Sequence, residues 1–201
     1  LPANPGPDTK SMLFRNRERV EGPGKYFTYR LADELIEYID NRNRETPFFI
    51  YLPFTAPHYP LWKPDDSLTH WDGNRFGPHP DDLKSAYKAT IEAMDLAVGE
   101  IMEELKKTGL DKNTFVFFTS DNGGYCHYAG RHPDEISDNG PLRGQKTDVY
   151  EGGHRVPTIA RWPGKIQPGI ESHETILTMD LMPTFLELAD IPLPKPGGSH
   201  G

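Results

Sequence analysis

The stretch from Phe115 to Gly124, FVFFTSDNGG, constrains this chain more than any other. Phe115 to Thr119 form an apolar run of β-prone residues, and Ser120-Asp121-Asn122-Gly123-Gly124 follows without a spacer. A short apolar run closed by turn residues reads as a buried strand that opens into a polar loop. In open α/β sheets, ligands bind at the carboxyl ends of the strands, so Asp121 and Asn122 are placed where chemistry is done. Further along, Lys146 lies in a segment punctuated by Gly140, Gly144, Gly152 and Gly153. A carboxylate and an amide oxygen suit a hard cation, and a lysine suits an anion as a compact point charge. Together they point to a metal and an oxyanion sharing one site. By itself, Asp-Asn-Gly-Gly also suits an ordinary turn whose side chains bond their own backbone.

The rest of the chain alternates between helical and strand-like patterns. Residues 28–41 put Leu31, Leu35, Tyr38 and Ile39 on one helical face. Pro47 to Leu52 reads as a short strand, apolar enough to be buried on both sides. The prolines at 53, 57, 60 and 64 keep the next segment out of a helix. Residues 83–107 give the strongest helical signal, with Leu83, Tyr87, Ile91, Met94, Val98, Ile101 and Leu105 as the apolar face and Gly109 as the stop. Val156 to Trp162 is a third apolar run, and 179–189 a last helix with Pro183 in its first turn. This order predicts an α/β fold with a mainly parallel sheet flanked by helices, in a single domain spanning 1–201. Residues 1–25 and 191–201, rich in Pro and Gly, are expected to be irregular or flexible.

Composition narrows the function. Lys and Arg number 22 against 30 Asp and Glu, a net charge of −8 that argues against a nucleic-acid partner, which wants a basic face. An anionic substrate remains open, because a few local cations decide that. No apolar run approaches the roughly 20 residues of a membrane span. The single cysteine, Cys126, forms no internal disulfide and leaves the compartment open. A chain that begins with Leu1 is expected to lack its natural start.

The glycine-rich segment carries a resemblance. Thr119-Ser120-Asp121-Asn122-Gly123-Gly124, Pro141-Leu142-Arg143-Gly144 with Lys146, Tyr150-Glu151-Gly152-Gly153, Arg155-Val156-Pro157 and Trp162-Pro163-Gly164 occur in that order. This series resembles the sulfatase family of the alkaline-phosphatase-like superfamily, from about Tyr26 to Pro192. The resemblance implies a partial alkaline-phosphatase-like catalytic domain of a sulfuric ester hydrolase of the arylsulfatase type. It implies that Asp121 and Asn122 bind a metal, Ca²⁺ or alternatively Mg²⁺. It implies that Lys146 and His58, the latter in Thr55-Ala56-Pro57-His58, act on the sulfate. Lys146 would offset charge developing on the sulfate oxygens, and His58 would help the alcohol leave. In such enzymes a hydrated formylglycine, made from the Cys or Ser of a C/S-x-P-x-R motif, attacks sulfur. No stretch of the 201 residues matches that motif, and Cys126-His127-Tyr128-Ala129-Gly130 does not. The amino-terminal carboxylates of the metal site likewise have no counterpart. Two positions depart from the family pattern. Thr147 stands where many relatives have Gly, and His154 where an apolar residue is usual.

Arg143 is a candidate either for gripping an anion bidentately or for bracing its loop. His127 and His132 lie on an irregular loop without a thiol pair, so they read as substrate rim rather than zinc site. The expected partner is a sulfated small molecule or glycan, shaped in part by the loop from Trp62 to Arg75. Family analogy suggests a periplasmic, secreted or lysosomal location. Two alternatives stay open: a phosphatase or phosphodiesterase of the same superfamily, and a non-catalytic relative that binds sulfated glycans. The missing nucleophile predicts that the isolated 201-residue chain has little or no sulfatase turnover. Metal-dependent turnover by that chain, lost on Lys146→Ala, would overturn this expectation.

Overall fold

The computed structural model describes residues 13–20, 25–66, 74–127 and 135–194. The chain divides into two compact units, Leu1–Ile166 and Gln167–Gly201. The first holds strands β1 (Leu13–Arg15) and β2 (Glu18–Val20), helices α1 (Phe27–Asn41) and α2 (Leu83–Lys107), strand β3 (Val116–Thr119), the single-turn helix α3 (Glu151–His154) and strand β4 (Thr158–Arg161). The second holds α4 (Leu181–Leu188), entered through a 3-10 turn at Thr178–Asp180 and carrying Pro183 in its first turn.

Helix α2 has the bounds that its periodicity predicts, and its end shows why. The Gly109 N–H bonds to Lys106 O, and the Leu110 N–H reaches back to Leu105 O, with Gly109 at φ +74. This paired closure needs a left-handed residue just past the helix, which glycine adopts without a Cβ penalty. The buried stripe differs from the predicted one. Leu83, Ala86, Thr90, Ala93, Ala97, Glu104 and Leu105 are buried, whereas Ile91 is 37% exposed. Helix α1 packs on α2, with Leu35 and Ile39 against Leu105, while Ala86 is covered by Leu61 and Ile136. On α1 the buried face is Thr28, Ala32, Leu35 and Ile39, and Tyr38 turns to solvent.

Two apolar clusters anchor the remaining segments to these helices. Leu35, Ile39 and Leu105 gather Phe48, Ile50, Leu52, Leu110 and Val116. Leu61, Leu83, Ala86 and Ile136 gather Tyr59, Phe76, Tyr87 and Tyr125. The second cluster joins the start of α2 to the loops on either side of it, and so fixes the loop that follows β3.

The sheet corrects the expectation from sequence. The described residues form two antiparallel two-stranded sheets, β1 with β2 and β3 with β4, and no parallel ladder. Strand alternation with helices signals a parallel sheet only when successive strands enter it in the same direction. Here β4 returns against β3 through the long loop between them. Val116 pairs with Arg161 and Thr119 with Thr158, whose hydroxyl oxygens lie 3.0 Å apart. Pro47 to Leu52 is extended but joins no ladder. It alternates, with Phe48, Ile50 and Leu52 on the core while Phe49 and Tyr51 are 70% and 80% exposed. Its continuous apolar character therefore reflects one buried face, not two. Within the stretch expected to be irregular, residues 13–20 form a hairpin. Asn16 makes its turn at φ 58, and the Arg15 guanidinium pairs with the Glu34 carboxylate on α1.

The contrast between Leu61 and Ile91 tests this packing. Leu61 is fully buried, so Leu61→Ala lowers unfolding free energy by about 2–5 kcal/mol. Ile91→Ala, at a position that periodicity alone assigns to the core, costs under about 1 kcal/mol. Urea titration of the two variants decides between the two faces.

Candidate active site

Strand β3 ends at Thr119, and the side chains that follow shape their own loop. The Ser120 hydroxyl donates to Asn122 O at 2.9 Å, and Asn122 Nδ2 donates to Gly123 O at 3.0 Å. The Asn122 amide is thereby oriented with its Oδ1 free to act as a ligand. The preceding Asp121 carboxylate is exposed. Two consecutive oxygen donors result, as a hard cation requires. Such an ion takes about six oxygens, and among the described residues no group of three or more His, Cys, Asp or Glu side chains comes together. Asp121 and Asn122 thus fit a share of a cation site, not the whole of one.

Residues remote in sequence press against this loop backbone to backbone. The Gly123 N–H bonds to Gly153 O at 3.0 Å, the Lys146 N–H to Gly124 O at 3.0 Å, and the Gly152 N–H to Arg143 O at 2.8 Å. A Cβ on Gly123 would lie 1.8 Å from Gly152 O, and one on Gly152 would lie 2.2 Å from Gly144 O. No side chain fits at either position, which is the physical reason for glycine at both. The loops Ser120–Gly124, Arg143–Asp148 and Tyr150–Gly153 therefore stack in three layers. Lys146 is thereby joined through its backbone to Gly124, the last residue of the loop that bears Asp121 and Asn122.

Lys146 itself sits on a tight turn. The Asp148 N–H bonds to Gln145 O at 2.9 Å, and Asp148 Oδ2 accepts from the Gln145 N–H at 3.0 Å. Thr147, third of the four residues, has φ 81. This is the arrangement of a type II turn, whose third position favours glycine. A β-branched residue there is strained. The family departure noted at Thr147 thus falls on the position where a side chain is hardest to accommodate. His154, the other departure, is exposed, with Nε2 3.3 Å from Val149 O.

The remaining candidates divide. The Arg143 guanidinium lies 3.7 Å from the centre of the Tyr150 ring, a cation–π contact between two of the three layers. This is the bracing geometry. His58 is held on another loop. Its Nδ1 lies 2.6 Å from Tyr59 O, its N–H bonds to Thr55 O, and its ring stacks on Tyr59 at 4.6 Å. A carbonyl accepts only from a protonated nitrogen, so Nδ1 carries hydrogen and Nε2 is the free end. No hydrogen bond or ion pair joins His58 to Asp121, Asn122 or Lys146 among the described residues; its neighbour Tyr59 and the site-loop residue Tyr125 meet in the same apolar cluster. His127 is exposed, its N–H accepted by Gln145 Oε1 at 3.1 Å and its Nε2 4.0 Å from Glu135. It borders an open depression of about 350 Å³ whose lining includes Glu135, Asp138 and Asp148 but neither Lys146 nor Asp121. Three carboxylates make that depression acidic. His132, and most of the loop after Trp62, fall outside the described residues. Cys126 is buried, 3.3 Å from Asn139 Nδ2 and 3.8 Å from the Ser137 hydroxyl. Nearby, burial pushes the Tyr87 phenol above its ordinary range, partly countered by its hydrogen bond with Ser137. Sequence reasoning passed over Asn139, although its place directly before Gly140-Pro141-Leu142-Arg143-Gly144 marks it as part of the same loop.

Comparison with known proteins places this arrangement. The sulfatase family model matches residues 5–191. The chain belongs to the sulfatase family. It is 39% identical over 171 residues to steryl-sulfatase of Rattus norvegicus, covering 85% of this chain and 28% of that protein. It is 36% identical over 169 residues to N-acetylgalactosamine-6-sulfatase of Mus musculus, covering 84% of this chain and 30% of that one. A solved structure, Ps i-CgsB in complex with a neocarrahexaose, superposes with a TM-score of 0.75 at 31% identity, covering 90% of this chain and 37% of the other. The chain therefore spans about a third of the length of the relatives it matches. These sulfatase neighbours share the fold, while the mainly parallel sheet expected from sequence is not present among the described strands.

The strain at Thr147 has a measurable sign. Thr147→Gly raises unfolding free energy by about 1 kcal/mol, because relief of the left-handed threonine outweighs the added freedom of the unfolded chain. A shift of the urea midpoint to lower concentration would contradict the turn geometry.

Proposed function

We propose that this chain carries the sulfate-holding part of a sulfuric ester hydrolase of the arylsulfatase type. The observation that carries the reading is the bond from the Lys146 N–H to Gly124 O. It brings the Lys146 backbone against the loop that bears Asp121 and Asn122, which supports a lysine ammonium acting together with a cation held there. A cation and a lysine side by side suit a tetrahedral anion with its charge spread over several oxygens.

In this reading Asp121 and Asn122 contribute to a Ca²⁺ site, with Mg²⁺ as the alternative. The bound ion would supply fixed positive charge to the sulfate oxygens. Lys146 contacts a second sulfate oxygen and counters the charge that grows there as the S–O bond to the alcohol breaks. His58 is oriented for acid work. With Nδ1–H held by Tyr59 O, a protonated ring offers its Nε2–H to the departing alcohol oxygen. Arg143 braces the loop through Tyr150 rather than gripping substrate, and His127 stands at the rim. The attacking formylglycine is assigned to a segment outside these 201 residues. The substrate is a sulfated small molecule or glycan. The relatives named for a steryl and an N-acetylgalactosamine ester, and the structure holding a neocarrahexaose, support that range.

The test uses the full-length protein. It is expected to hydrolyse an aryl sulfate in preference to the matching aryl phosphate, and Lys146→Ala lowers kcat by roughly 10²–10³-fold. Steady-state kinetics with both esters checks this. Preference for the phosphate, or unaltered turnover in the lysine variant, would overturn the assignment.

A further inference from the structure

The geometry points to Asn139 as the positioning residue that sets Lys146 against the Asp121–Asn122 loop. Its side-chain amide engages both polar groups of a single peptide residue. Oδ1 accepts from the Gly124 N–H at 2.9 Å, and Nδ2 donates to Gly124 O at 2.9 Å. Nδ2 also lies 3.2 Å from Gly144 O and 3.3 Å from Cys126 Sγ. One amide thus bonds to the loop that carries the oxygen donors and to the loop that carries the lysine. It does so as a neighbouring strand would, although neither loop is a strand.

The second acceptor position of Gly124 O matters most. That oxygen receives Asn139 Nδ2 and the Lys146 N–H together. A carbonyl oxygen has two lone pairs, and both are used here. Asn139 therefore orients the very group from which Lys146 hangs. The fit allows little change. A Cβ on Gly124 would come within 2.9 Å of Asn139 Oδ1 and 2.8 Å of the Ser137 hydroxyl. Aspartate has the shape of asparagine but no donor, and it would set a negative charge against Gly124 O and Gly144 O. Alanine removes the contact on both loops.

The first test needs no substrate. Amide hydrogen exchange is measured at Lys146 in the wild type, Asn139→Ala and Asn139→Asp. The expected result is exchange at least tenfold faster at Lys146 in both variants, with α2 amides such as Leu105 unchanged. Equal rates at Lys146, or an equal rise at Leu105, would overturn the proposal, since the second outcome is general loosening. The second test rests on the sulfatase reading and uses the full-length enzyme with an aryl sulfate. Asn139→Asp is expected to lower kcat about 10–100-fold with KM changed less than about threefold, as a misplaced group does. Combined with Lys146→Ala, it adds less than about threefold to the loss from Lys146→Ala alone, because the two act through one group. Fully additive losses would overturn the proposal. Fast Lys146 exchange in the variants of a wild type without sulfate turnover would instead uphold Asn139 and remove the sulfatase reading.

Discussion

The candidate site depends on close contact between backbones. Three loops from separate parts of the chain touch through peptide groups, with the Gly123 N–H on Gly153 O, the Gly152 N–H on Arg143 O and the Lys146 N–H on Gly124 O. Buried peptide groups must be paired, and here they are paired with each other rather than within a sheet. That is possible only where side chains are absent, hence the glycines at 123 and 152. A polar site built this way has little freedom to rearrange. Lys146 is placed by its own backbone, so its four-carbon stem starts from a fixed point.

Packing of α1 on α2 provides a platform, and the two apolar clusters fasten different segments to it. Leu61, Leu83 and Ile136 draw the loops bearing His58 and the residues after β3 into one cluster, with Tyr59 and Tyr125 as the links. The loop bearing His58 and the residues after β3 thereby meet through apolar contact. In a chain with net charge −8, the loop that bears Lys146 also lines, through Gly144, Gln145 and Asp148, a depression made acidic by Glu135, Asp138 and Asp148. Charge on such a surface acts locally, since its effect falls off over roughly 10 Å in ordinary salt.

Much of the site was legible in sequence because its chemistry is local. Ser120-Asp121-Asn122-Gly123-Gly124 turns on its own side chains, and Gly109 ends α2 with the bonds its identity demands. The strain at Thr147 was visible as a departure from the family pattern, and φ 81 supplies its cause. Asn139 was not legible. Of its partners only Gly144 is near in sequence; Gly124 and Cys126 lie more than a dozen positions away, and the loop that follows it does not tell a bracing asparagine from a turn asparagine. Arg143 was open between grip and brace until its distance to Tyr150 was known.

Periodicity determined which segments are helical, where α2 begins and ends, and that a polar loop follows β3. Those outcomes rest on interactions spanning a few residues, so composition and spacing record them. Tertiary structure decided which face of each helix is buried, favouring Ala86, Ala93 and Ala97 over Ile91, because burial depends on which distant segments pack there, as Leu61 and Ile136 do on Ala86. It also decided that β4 runs antiparallel to β3, and that Pro47 to Leu52 shows one face to the core and the other to solvent. Strand direction and facing depend on partners distant in the chain, which no local pattern encodes.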